Sequence, residues 1–141
     1  MDSIRKRIIQ HLEESIKSVD EVRDVGFGSF EPSRLVKPCA GIIPDEDTAE
    51  QITHDDALEM QFKLIVRVVV EESFQTAGYE LEDILPKIEQ AIMADRTRDG
   101  AALDTRLTST NWLFLDQQYP QSGADLNFTI QYLRSGADPS V

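Results

Sequence analysis

The chain is poor in the residues that most chemistry depends on. It has one cysteine, two histidines and one tryptophan in 141 residues. A lone Cys39 has no internal disulfide partner, and the amino-terminal stretch is charged from Asp2 and Arg5 onward, unlike the apolar core of a secretory leader. Folding in a reducing cytosol is the expectation. Apolar runs fall well short of the roughly 18 residues that a membrane-spanning helix needs, so no membrane partner is expected. Neither His11 nor His54 has a second histidine or a cysteine at metal-ligand spacing. No histidine follows His54 and no Gly-x-Ser-x-Gly occurs, which leaves a serine hydrolase without base or elbow. Gly26 and Gly28 lack the third glycine of a dinucleotide loop, and Pro32 opposes a helix opening there. No catalytic residue, metal ligand or cofactor site is expected.

What the chain has in quantity is acid. Asp and Glu number 26 against 14 Lys and Arg, for a formal charge of -12. Such a surface repels phosphate backbones and argues against specific nucleic-acid binding. The acid is concentrated in a belt of Asp45, Glu46, Asp47, Glu50, Asp55, Asp56 and Glu59, with no Lys or Arg between Lys37 and Lys63. Gly is absent from residues 42 to 77, so the belt lacks the turn of a calcium-binding hand and reads as a solvated loop. Basic residues gather elsewhere, in Arg96, Arg98 and Arg106. Their ordinary role is charge at a helix C-terminus. A second role is to meet the acidic belt of a neighbouring copy, since loops of opposite sign favour head-to-tail association.

Hydrophobic spacing supplies the elements. Leu58, Met60, Phe62, Leu64, Val66, Val68 and Val70 alternate, which predicts a long strand over 56–71. Its second face carries Glu59, Gln61, Lys63, Arg67 and Glu71 with Ile65 and Val69, wet at the ends and covered in the middle. Ile4, Ile8, Leu12 and Ile16 predict an amphipathic helix over 2–19 capped by Asp2 or Ser3. Val22 to Val25 predicts a short strand ending in a glycine turn, and residues 28 to 55 read as loop around one short strand at 39–43, broken by Pro32, Pro38 and Pro44. Leu81, Ile84, Leu85, Ile88 and Ile92 form a helical stripe. Pro86 belongs in a first turn, so that helix is expected from about 83 to 94, with an N-terminal extension by a loose turn as the alternative. Strands over 106–115 and 125–133 should form an antiparallel pair, with Trp112 in the sheet core or over its edge, or else marking a binding patch. The fold class expected is α/β of the α+β type. It has a mixed or antiparallel sheet of about four to five strands packed by two main helices. One domain spans 1–134, and a flexible tail over 135–141 has too little apolar material to pack.

The order of helix, short strand, proline-broken acidic loop, long strand, helix, polar linker and strand pair resembles the tail terminator proteins of long-tailed bacteriophages. The local match is strongest where Gly100 to Trp112 leads into Ala124 to Tyr132. Residues 28 to 56 match no motif of the family.

The resemblance implies a structural virion protein forming a hexameric ring at the head-proximal end of the tail tube. There it would stop tube polymerisation and offer a head-joining surface. Its partners would be itself, the tail tube protein, a head-tail connector or stopper and, in a contractile tail, the sheath, with DNA passing through the channel. Asp45, Glu46, Asp47, Glu50, Asp55, Asp56, Arg96, Arg98 and Arg106 are the candidate subunit-interface or channel-lining residues. Another neck or tail-completion protein is the alternative role. A small metal-dependent cytosolic enzyme is the alternative of a different class.

Overall fold

The computed structural model describes residues 2–28, 32–52, 57–70, 74–114 and 122–141. Two helices, α1 (Ile4–Lys17) and α2 (Phe74–Met93), accompany strands β1 (Asp24–Phe27), β2 (Cys39–Ile52), β3 (Ala57–Val70), β4 (Asp104–Phe114) and β5 (Ser122–Ser135). The strands form one five-stranded sheet in the order β1-β2-β3-β5-β4. β1 runs parallel to β2 and every other pair is antiparallel, so the sheet is mixed and the fold is α+β.

The alternation along β3 sets the core. Met60, Phe62, Leu64, Val66, Val68 and Val70 are all buried, and register places them beside Tyr132, Ile130, Phe128, Leu126, Ala124 and Ser122 of β5. Ala40 and Ile42 of β2 extend the same face. Both helices lie on it. Ile4, Ile8, Ile9, Leu12 and Ile16 of α1 and Leu81, Ile84, Leu85, Ile88 and Ile92 of α2 close one continuous hydrophobic cluster. The α1 start follows from Ser3, whose Oγ accepts the Lys6 amide at 3.1 Å.

Three expectations need correction. β2 does not stop at Ile43 but continues through Pro44 and the acidic belt to Ile52, paired with β3 as far as Leu58. The proline is tolerated because β1 pairs β2 only from Cys39 to Ile42. Beyond that point β2 is an edge strand among the described residues, and a missing amide on its outer side costs no ladder bond. Register shifts at Pro44/Glu46 and Ala49/Gln51 take up the irregularity.

The second correction is α2, which begins at Phe74 rather than near Asp83 and holds Gly78 and Pro86 inside it. Buried Leu81, Ile84 and Leu85 precede the proline while buried Ile88 and Ile92 follow it. Packing on both sides outweighs a local cost of about 3 kcal/mol. The third concerns the helix-free face of β3. Its cover lies at the Val69 end, beside buried Cys39 and Asp125, while Lys63 in the middle is exposed.

Gly28 ends β1 with φ +84°, a conformation costly for other residues, and its amide donates to the Ile42 carbonyl at 3.1 Å. The C-terminal segment turns back onto α1. The Ile4 amide donates to the Pro139 carbonyl at 3.0 Å, and Arg7 Nη2 donates to the Ser140 carbonyl at 2.9 Å. Backbone hydrogen bonding docks residues whose side chains have little to bury. No helix among the described residues is long and apolar enough to cross a membrane.

Candidate assembly surface

The helix-free face of the sheet is polar and internally paired. Arg67 on β3 and Asp125 on β5 sit opposite each other and form a two-pronged ion pair at 2.8 and 3.0 Å. That pairing raises the Arg67 pKa further. Gln131 donates to Glu59 across the same strands. Asn127 Nδ2 donates to Ser109 Oγ at 3.1 Å, joining β5 to β4.

One row across this face has a particular arrangement. Register aligns Glu46 of β2 with Lys63 of β3, Lys63 with Thr129 of β5, and Thr129 with Arg106 of β4. Glu46 and Arg106 are both exposed. At this row β2 and β4 are the two margins of the described sheet, because β1 ends its pairing at Ile42. An acid therefore marks one margin and a base the other, about 14 Å apart at the usual strand spacing.

The other candidates divide by location. Asp45 is exposed beside Glu46 in the irregular part of β2. Asp47 lies on the helix side, opposite Phe62. It pairs with Arg5 of α1 at 2.9 Å and accepts the Tyr132 hydroxyl, tying the first helix to the β2–β3 hairpin. Burial and that bond push the Tyr132 pKa upward. Glu50 has its backbone in β2, but its side chain, together with Asp55 and Asp56, lies outside the described residues.

Among the arginines, Arg96 forms a two-pronged pair with Asp104 at 2.6 and 3.0 Å, which holds the Asp104 carboxyl below its ordinary pKa. Arg98 is buried, 1% exposed, with Nη2 donating to the carbonyls of Ile92 and Asp95 at the end of α2. It therefore presents no charge to a neighbour, a correction to its expected place at a surface. Arg106 alone of the three stands exposed without an ion pair among the described residues.

Sequence reasoning missed the Arg67–Asp125 and Arg5–Asp47–Tyr132 connections. Each joins residues more than 40 positions apart, at separations of 58, 42 and 85. Strand order and register bring Arg67 to Asp125 and Asp47 to Tyr132, and the packing of α1 on the sheet adds Arg5. Trp112 is 46% exposed on margin strand β4, so it is not a core residue. Among the described residues, no group of three or more His, Cys, Asp or Glu is placed to hold a metal ion. Cys39 is fully buried, and desolvation pushes its thiol up to about 11.

No family model and no curated protein matches the chain. Solved structures with a similar chain include one from a work titled "Virion of native gene transfer agent (GTA) particle". It shares 8% identity, with a TM-score of 0.48, over 94% of this chain and 96% of that one. A likeness at that level carries no argument about role.

Proposed function

We propose that the chain is a structural virion protein that forms a ring on the head-proximal end of a phage tail tube, ending tube growth and presenting the surface that joins the head. The observation that carries this reading is the cross-sheet row with exposed Glu46 at one margin and exposed Arg106 at the other. Opposite charges on opposite margins of one rigid sheet let each copy offer its base to the next copy's acid. Repeated by rotation, a head-to-tail contact of this kind closes into a ring. The resemblance of the segment from Gly100 to Trp112 and Ala124 to Tyr132 to tail terminators supplies the context of the ring, and that segment contains β4 and β5.

The acidic side of the sheet suits a channel that DNA traverses, because carboxylates repel the phosphates and keep the genome from adhering. In this proposal part of the belt, with exposed Asp45 its clearest member, faces the channel. A ring structure with the belt on its outer rim would contradict that part.

Charge exchange tests the contact. Glu46→Lys and Arg106→Glu should each weaken assembly about tenfold or more, equivalent to about 1.4 kcal/mol, by placing like charges together. The double exchange should restore assembly, and the capping of isolated tail tubes should follow the same order. If both single variants assemble and cap like the parent chain, the row is not the contact.

A further inference from the structure

A small cleft of about 270 Å³ lies between α1 and the turn after α2, lined by Arg7, Gln10, His11 and Glu14 on one side and Arg98, Asp99 and Ala101 on the other. Arg98 is 1% exposed, yet among the described residues only its Nη2 has acceptors, the Ile92 and Asp95 carbonyls. Its Nε and Nη1 are buried with no partner among the described residues, and so is His11 Nδ1 on the facing helix. A guanidinium cannot shed its charge to relieve this, and burying a cation whose N–H groups are only partly satisfied is costly even with the Asp95 charge nearby. The carboxylate best placed to neutralise it is engaged elsewhere. Asp95 accepts from the Thr97 amide at 3.0 Å, the Thr97 hydroxyl at 2.7 Å and the Asp99 amide at 2.9 Å. Its Oδ2 also faces His11 Nε2 at 3.6 Å. The backbone that brings Arg98 inward is left-handed at Arg98 and Asp99, with φ +49° and +56°. Such a conformation persists where the surroundings impose it.

We infer that this cleft is a binding site for a small oxyanion, with Arg98 as its charged donor and His11 and Arg7 as flanking groups. Arg98 still has N–H donors to offer, and an oxyanion has several lone pairs to receive them. Glu14 and Asp99 on the rim oppose a large polyanion and restrict the site to a compact group. A free phosphate and a carboxylate are the two sources of this chemistry. The site does not depend on the proposed ring.

The test uses the full chain, with inorganic phosphate and acetate each titrated at constant pH and ionic strength against chloride. Phosphate should raise the melting temperature by about 4 °C at ten times its Kd and further with the logarithm of its concentration. It should also move the ring resonances of His11 but not those of His54. Saturable binding of phosphate alone identifies a phosphate-type site, and binding of acetate as well identifies a carboxylate acceptor. Arg98→Gln should weaken binding at least tenfold. Two results overturn the inference. One is His11 resonances and a melting temperature that respond to phosphate and acetate no differently from chloride, as in a cleft filled only by water. The other is undiminished binding by a folded Arg98→Gln variant.

Discussion

At the scale of single residues, close approach decides more than composition. A Cβ built on Gly123 would meet the Val68 carbonyl oxygen at 2.5 Å, a backbone atom that can yield only if β3 and β5 separate. Gly123→Ala should therefore destabilise the fold by about 1–3 kcal/mol, the range for forcing extra volume into a packed site. Urea unfolding would measure it as a lower midpoint with an unchanged slope. An unchanged midpoint would mean the two strands are not held this tightly. Nothing in the sequence singles out this glycine from Gly78, which stands in a helix with open space around it. Arg98 was half legible, since charge at the end of α2 was expected and its Nη2 donates to the Ile92 and Asp95 carbonyls there, but its burial was not. Its neighbours Arg96 and Asp99 mark a charged turn, whereas its burial follows from left-handed backbone that spacing does not encode.

At the scale of elements, the period-two pattern of β3 and the helical stripe of α1 were legible because burial on one face leaves a regular hydrophobic signal. The outer half of β2 was not, because an edge strand with polar side chains and one proline has no such signal, and among the described residues its sheet neighbour is β3 alone. The start of α2 was hidden by Gly78 and Pro86, two local breakers overridden by packing. The end of α2 gives a prediction with a definite sign. Asp95 is held at about 2, chiefly by the Thr97 hydroxyl and the Asp99 amide. A carboxylate with a depressed folded pKa adds stability above its unfolded pKa, near 3.9, and loses it as pH falls through the folded value. The stability difference between the parent chain and Asp95→Ala should be constant above about pH 5 and shrink progressively as pH falls from about 5 to about 1. Unfolding by denaturant at a series of pH values would show it. A difference that persists unchanged at pH 2 would mean that the charge of Asp95 plays no part in holding the turn.

At the scale of the whole molecule, a chain of formal charge -12 holds exposed Asp45 and Glu46 at one margin of the described sheet and exposed Arg106 at the other. That polarity was half legible. The belt and the arginines stood out in the sequence as charge of opposite sign, but their alignment on one row required the register of β2, β3, β5 and β4. Net self-repulsion and local attraction act together in such a molecule. Association should weaken as salt screens the Glu46–Arg106 contact, unless apolar surface such as the exposed Trp112 supplies most of the contact energy. The most direct measurement is the mass of the full chain by light scattering over a wide concentration range at low salt, with negative-stain images of any large species. The account predicts a closed ring with a mass near six subunits that dissociates in the Glu46→Lys and Arg106→Glu variants and re-forms when both changes are combined. A chain that stays monomeric at every concentration, and remains so when mixed with isolated tail tubes, would contradict it.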